Sequence, residues 1–325
     1  MSLGAVDRDF LQEFEHSINP RHPEQSKIPL KVLGYGEIST VLEIEREGLR
    51  HLAFKRMPMF ESEAEVDDFL RVYQNYLDVL GGRIGVNLIP SETTWVTGSD
   101  GKRVVLYIIQ EKIHSQTIGH HVIHKLSDEK VPLFVRNVLD ELKKVFDFNR
   151  THKGKIEVGI DGQISNWAIT GFNPESPDLV DQVDLVYFDT STPLLQLEGE
   201  EQLNPELFLR SAPSFLVWIL KLLFLEDVMT RYYNPRLVAV DLIGNFYKEG
   251  RPELVPQMVE EANAFLASGD SEVTYGPITI EEVDKYYRED SMIWRLYLAS
   301  RKVDRTIHRL FNSYYPYVLP EKIER

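Results

Sequence analysis

The sequence predicts an α+β protein in two parts: a small antiparallel β-rich segment carrying one helix, then a larger, mainly helical remainder. Two observations lead there. Between residues 30 and 113, short β-branched and aromatic runs alternate with turn signals and are interrupted once by an amphipathic stripe. Beyond residue 113, long segments with apolar residues every three or four positions dominate, and only two β-like stretches interrupt them. The expected division is residues 1–113 and 114–325, the first part opening with a short helical segment.

That opening segment has Phe10, Leu11, Phe14 and Ile18 at helical spacing and is halted by the prolines of NPRHP. Three strands are expected at Leu30–Leu33, Ser39–Arg46 and Leu49–Arg56, the last two joined by the Glu47-Gly48 turn. The period then changes. Val66, Phe69, Leu70, Tyr73, Tyr76, Leu77 and Leu80 form one face of a helix over Glu61–Leu80, which Gly81-Gly82 ends. Two more strands, Val86–Val96 and Arg103–Ile113, flank the turn Gly98-Ser99-Asp100-Gly101. Helices are expected at Val131–Arg150, Ser214–Tyr233, Pro252–Ser268 and Ile280–Tyr315, with Pro252 near a helix start, where a missing N–H costs little. The β-like interruptions are Ile156–Ile169 and Val183–Phe188, and the polar motifs sit on them.

Composition narrows the function classes. The 325 residues are 43% hydrophobic, enough for a substantial core. Lys and Arg total 36 against 51 Asp and Glu, so the net charge of −15 argues against broad binding to nucleic acid or anionic membrane. There are no cysteines, which removes disulfides, thiolate zinc sites and cysteine nucleophiles. The most apolar run, Phe215–Leu225, contains Lys221 and falls well short of the about 20 residues of a membrane span, so it reads as a buried helix. No secretory signal is visible, and a cytoplasmic protein is expected.

Four polar motifs occur in a telling order. Leu33-Gly34-Tyr35-Gly36-Glu37-Ile38-Ser39 joins the first two strands. Lys55 follows in Leu52-Ala53-Phe54-Lys55, and an ammonium among apolar strand residues must find an anion. Asp161 precedes Asn166 by five residues in Ile160-Asp161-Gly162-Gln163-Ile164-Ser165-Asn166. An apolar strand, Leu185-Val186-Tyr187-Phe188, then ends in Asp189. Read singly, these are a β-hairpin, a strand lysine, a tight Asp-Gly turn and a strand-terminal aspartate.

Together the motifs resemble the nucleotide-handling parts of the protein-kinase-like superfamily, nearest its aminoglycoside phosphotransferase and choline kinase-like branch. The resemblance implies a two-lobed fold and the cofactors ATP and Mg²⁺. It makes Gly34 and Gly36 part of the loop over the phosphates and Lys55 the residue that holds them, with a helix glutamate supporting the lysine. Glu65 is the candidate for that support; Glu61, Glu63 and Asp68 are the alternatives. By the same resemblance Asp161 orients the acceptor hydroxyl, Asn166 and Asp189 hold Mg²⁺, Gln110 borders the adenine pocket, and the backbone of Glu111 and Ile113 bonds the adenine edge.

Departures from the family pattern bear on the acceptor. Ser39 stands where a third glycine is usual, Gly159 where a histidine is, and Gln163 where protein Ser/Thr kinases carry a lysine, and no A-P-E element follows Asp189. These absences favour a small hydroxyl-bearing substrate as the partner. The alternatives are a non-catalytic nucleotide-binding scaffold, a kinase-fold enzyme with a protein acceptor, and nucleotidyl transfer. A separate candidate is a metal site in His114, His120, His121 and His124, although no third ligand accompanies the His120/His124 pair and solvated or capping histidines fit better.

Overall fold

The computed structural model describes residues 6–36, 38–179, 183–210, 217, 230–268 and 275–321. The chain starts with α1 (Arg8–Ser17), whose first turn is capped by the Asp7 side chain. Five strands follow, β1 (Leu30–Tyr35), β2 (Thr40–Ile44), β3 (Leu52–Phe60), β4 (Ser91–Thr97) and β5 (Val104–Glu111), with α2 (Glu63–Leu77) between β3 and β4. They form one antiparallel sheet in the order β1-β2-β3-β5-β4.

The sheet is covered on both faces, which explains why β5 reads as a continuous apolar run rather than an alternating one. Val104, Leu106 and Ile108 pack with Met57, Phe60 and the α2 residues Val66, Phe69 and Tyr73. Val105, Tyr107 and Ile109 point the other way, to Leu42, Phe54 and the α1 residues Leu11 and Phe14. Strand β3 follows the same two-residue period, so neighbouring Lys55 and Arg56 serve opposite faces.

The remainder is mainly helical. It comprises α3 (Gly119–Val122), α4 (Val131–Thr151), α5 (Glu206–Leu209), α6 (Pro235–Lys248), α7 (Val255–Ala267) and α8 (Ile280–Leu310). Its core joins Phe134, Val138, Leu142 and Val145 of α4 to Val238, Leu242 and Phe246 of α6 and Met258 and Ala262 of α7. Two small sheets interrupt the helices. Strands β6 (Ile156–Val158), β9 (Leu195–Leu197) and β10 (Glu200–Glu201) make one, in the order β10-β9-β6; β7 (Trp167–Ile169) and β8 (Leu185–Tyr187) make the other. The result is the α+β layout that the kinase-like resemblance implies.

Several boundaries differ from the sequence expectation. The fourth strand begins at Ser91, because Asn87 and Ile89 bond the backbone of Tyr187 instead and tie this stretch to β8. The hairpin β9–β10 was not anticipated; its turn puts Glu198 and Gly199 at φ 52° and 82°, a conformation glycine adopts freely and other residues seldom do. Helix α8 stops at Leu310, short of Tyr315, and Tyr315–Leu319 are buried. The helix expected over Ser214–Tyr233, with the Phe215–Leu225 run, lies outside the described residues apart from 217 and 230–233.

Behind the sheet, Arg56 and Glu15 form a bidentate pair at 2.6 and 2.7 Å, both side chains essentially inaccessible to water. Tyr107 donates to Glu15 at 2.5 Å, and Arg56 also donates to the Pro316 carbonyl at 2.6 Å. One guanidinium therefore binds the first helix, the sheet and the C-terminal segment together. Breaking such a pair leaves a buried charge without its counter-ion, at a cost of about 3–5 kcal/mol. We expect Glu15→Gln to lower the urea midpoint by a corresponding amount, and the joint replacement Glu15→Leu with Arg56→Met to lose less than either single change. A midpoint unmoved by Glu15→Gln would contradict this account of the clamp.

Candidate active site

Strand β3 carries Lys55 to the side of the sheet that faces α2 and the helical part. Its Nζ lies 2.5 Å from Asp189 Oδ1 and 2.7 Å from Ser191 Oγ, and Ser191 Oγ in turn donates to Asp189 Oδ1 at 2.9 Å. Burial pushes the Asp189 carboxyl up, but the Lys55 charge and these hydrogen bonds outweigh it and hold the group below the usual carboxylate range. The segment around Asp189 is anchored from two further elements, one of them tied in turn to β4. Gln110 of β5 donates to Phe188 O at 3.1 Å, and Tyr73 of α2 bonds both Thr190 Oγ1 at 3.0 Å and Ser91 Oγ of β4 at 2.8 Å.

The two small sheets bring the Asp161 loop to the same place. Trp167 pairs with Tyr187 across β7–β8, which sets Asn166 beside Phe188, whose N–H donates to Asn166 O at 3.1 Å. On the other side, Gly159 N donates to Leu194 O and Ile160 N to Tyr232 O. Close packing fixes the loop between these anchors. A Cβ on Gly162 would lie 2.7 Å from Val238, and one on Gly119 would lie 2.2 Å from Ile164 O. A Cβ on Gly159 would meet Leu194 at 2.8 Å, so no histidine fits where the family usually has one.

Within the loop, Gln163 N donates to Asp161 Oδ1 at 3.0 Å and Asn166 Nδ2 reaches the Asp161 carbonyl at 3.3 Å. The Asp161 carboxyl is pushed up to about 8 by burial, then by the charge of Asp241 and, more weakly, of Asp189. Asp241 and Asn245 lie one turn apart on α6 and both face the loop. Asn245 Oδ1 accepts from Ile164 N at 2.8 Å, while Asp241 accepts from Gln163 Nε2 at 3.2 Å and from Tyr286 OH at 2.8 Å. Arg231 donates to the same Tyr286 hydroxyl at 2.9 Å. Three carboxylates, Asp161, Asp189 and Asp241, thus share one region with two cations, Lys55 and Arg231.

Lys55, Asp161, Asn166 and Asp189 are therefore brought together, whereas Glu65 is not. Glu65 forms a two-point pair with Arg210 at 2.6 and 2.9 Å, and that hydrogen bonding, first among its surroundings, lowers its carboxyl below the usual range. The expectation that Glu65 supports Lys55 is corrected: Asp189 and Ser191 bind the lysine here. Gly34 pairs with Val41 beside a β-bulge, and Gly36 N donates to Ser39 O at 3.0 Å, closing the β1–β2 turn. A Cβ on Gly36 would fall 2.6 Å from Ser39 Oγ, so a larger residue there would have to turn the Ser39 side chain aside. Glu111 ends β5 opposite Leu52, and Ile113 follows Lys112, which is pinned to His51 O and to Glu43.

Ser191, Asp241 and Tyr286 were missed as site residues. Asp241 left a trace, since a carboxylate inside the apolar run Val238-Ala239-Val240-Asp241-Leu242-Ile243 must find buried partners. Among the described residues, no three or more His, Asp or Glu side chains are grouped to hold a metal ion alone. The histidines His114, His120, His121 and His124 form no such group, and His120 is pushed down to about 4 by burial and the charges of His121, Lys248 and His124.

The Asp161 environment makes a prediction about pH. Its carboxyl has a folded value of about 8 against an ordinary 3.8, so the folded protein holds a proton that the unfolded chain releases. Stability contributed by that proton declines as pH rises across this window. Asp161→Asn cannot titrate. Its melting temperature is expected to gain on the wild type from about pH 4 to about pH 8, as read from melts at a series of pH values; a constant difference would refute the assignment.

No curated protein matches the chain. Among solved structures, it is similar to a GDP complex of wild-type aminoglycoside 2'-phosphotransferase-IIIa, at 10% identity and TM-score 0.33 over 73% of this chain and 91% of that one. It is also similar to a GDP and kanamycin complex of APH(2")-IIia, at 11% identity and TM-score 0.34 over 79% of this chain and 99% of that one. Superpositions this loose carry no information about chemistry. The model of DUF6206, a family of unknown function, matches residues 13–305, which include every cleft residue described above, and the chain belongs to that family.

Proposed function

We propose that the protein is an ATP- and Mg²⁺-dependent phosphotransferase acting on a small hydroxyl-bearing substrate, with residues 1–113 as the nucleotide-binding lobe and 114–325 as the lobe that supplies the catalytic loop. The observation that carries this reading is the Lys55–Asp189 contact, made between residues 134 positions apart and directly beside the Asp161–Asn166 loop. A lysine used only to neutralise an aspartate would not require a second carboxylate and a carboxamide oxygen at the same spot.

The donor set fits the cofactors. Asn166 and Asp189 offer two hard oxygen donors, the number Mg²⁺ commonly takes from protein when phosphate oxygens and water complete its shell. Burial raises Asp161 first and the charges of Asp241 and Asp189 add to it, and an added cation relieves that second part. When bound, Mg²⁺ would neutralise phosphate charge. Lys55 would turn from Asp189 to phosphate oxygens, while the Gly34–Gly36 turn allows close backbone approach and Glu111 and Ile113 meet the adenine edge through their backbone. Asp161, once deprotonated, is a stronger base than an ordinary carboxylate and would take the proton of the acceptor hydroxyl. Gln163, bonded to Asp241, would help fix the loop that aims Asp161.

Calorimetric titration of ATP with Mg²⁺ into wild type and variants tests the nucleotide half. Wild type is expected to bind in a metal-dependent way; Asp189→Ala should abolish that dependence and Lys55→Met should weaken binding by at least about tenfold, or 1.4 kcal/mol. Asp161→Asn should keep binding and lower transfer to hydroxyl compounds by about 100-fold or more. A folded wild type that binds no nucleotide overturns the proposal. Binding with no transfer to any acceptor would assign the scaffold role instead, and product mass separates phosphoryl from nucleotidyl transfer.

A further inference from the structure

The two cations of the cleft are held in different ways. Lys55 is bound by the Asp189 carboxylate and the Ser191 hydroxyl. Arg231 donates from Nη1 to the neutral Tyr286 hydroxyl at 2.9 Å, and its guanidinium carbon lies 4.9 Å from the centre of that ring. Asp241 and Asp290 act on it through charge and not through a hydrogen bond. A guanidinium carries five N–H donors in a planar fork, and among the described residues one partner engages one of them. That is a minimal set of contacts for a cation largely withdrawn from water.

The backbone fixes where this fork stands. Tyr232, the next residue, accepts from Ile160 N at 3.1 Å, directly before Asp161. Tyr233 donates to Glu201 at 2.7 Å, and Asn234 caps α6 by accepting from Arg236 N and Leu237 N. Lys55 reaches the Asp161 region through Asp189, whereas Arg231 reaches it through Tyr286 and Asp241. With Lys55 assigned to the phosphates of the nucleotide, Arg231 is the cation left for the acceptor.

We propose that Arg231 selects the acceptor, and that the acceptor is a hydroxyl compound carrying an oxyanion, a carboxylate or a phosphate, which the Arg231 fork grips while the hydroxyl meets Asp161. The proposal rests on the phosphotransferase reading and narrows its substrate class. Exposure decides between an anionic and a cationic acceptor. Asp241, the carboxylate that an amine would seek here, is 4% exposed and already accepts from Gln163 and Tyr286. Arg231 and Tyr286 are both partly exposed, so an incoming molecule meets the guanidinium and not the carboxylate. Carboxylate and phosphate both match the fork with paired, charge-assisted hydrogen bonds. The net charge of −15 opposes an anion only at long range, where salt screens it beyond about 8 Å.

The test is calorimetry on protein saturated with ADP and Mg²⁺, so that the nucleotide site is filled. The probes are glycerate, glycerophosphate, glycerol and aminopropanediol, which put different charges on one three-carbon frame. One or both anions should bind at least about tenfold more tightly than glycerol, and the amine no better than glycerol; the better anion identifies the oxyanion. Arg231→Gln should remove that preference, Arg231→Lys should retain part of it, because charge survives without the fork, and Arg231→Glu should transfer it to the amine. An arginine with a structural role alone would shift all four probes together. ADP affinity and melting curves show that each variant folds. Equal binding of the four probes, binding of none, preference of wild type for the amine, or an anion preference that survives Arg231→Gln would overturn the inference while ADP binding leaves the phosphotransferase reading standing. A folded wild type that binds no ADP overturns that reading and this one with it.

Discussion

The two-residue period of β3 is the constraint on which the rest depends. It sends two adjacent cations to opposite sides of one strand, and each recruits a distant part of the chain. Lys55 meets Asp189 beyond β8. Arg56 meets Glu15 of α1 and the carbonyl of Pro316. Neither cation could be left unpaired there, because both are largely shielded from water. The price of burying Arg56 is met by three acceptors and not by charge alone, which is why the first helix, the sheet and the C-terminal segment form one unit. The strand that carries Lys55 is thereby held from behind by the Arg56 clamp, while its ammonium is held in front by Asp189 and Ser191.

The helical part contributes to the cleft through very short strands. Three-residue ladders are weak by themselves, yet β7–β8 and β6–β9 fix the two flanks of the Asp161 loop, and α6 fixes its middle through Asn245. Gly244 makes room for the Tyr286 ring, whose hydroxyl then reaches Asp241. The outcome is a carboxylate cluster in which Asp189 is compensated by Lys55 while Asp161 is not. That difference in compensation drives their carboxyl groups in opposite directions, Asp161 up and Asp189 down, although both are buried.

Much of this was legible from local pattern. The order of three strands, a helix and two strands follows from periodicity, and Lys55, Asp161, Asn166 and Asp189 follow from short motifs whose spacing is set by a strand or a tight loop. Pairings between remote residues left no such trace. Glu65 sits at the expected place on α2, but its partner Arg210 arrives from 145 positions away and takes it from Lys55. Asn87 and Ile89 look like strand residues and are, in the sense that their backbone is paired, but to β8 and not to the sheet. The β9–β10 hairpin rests on the Glu198-Gly199 turn, a signal as brief as the Glu47-Gly48 one that was recognised. Local chemistry announced itself wherever the chain needed a particular residue type, and failed wherever tertiary position chose among several suitable ones.

Helix α8 links the Asp161 region to the C-terminal segment. Tyr286 near its start donates to Asp241 behind the Asp161 loop and accepts from Arg231. Its inner face is held by α6 at one end and by the C-terminal segment at the other, the same segment that reaches Arg56 through Pro316. The helix therefore touches the Asp161 loop through Tyr286 and Asp241, and the back of β3 through the C-terminal segment.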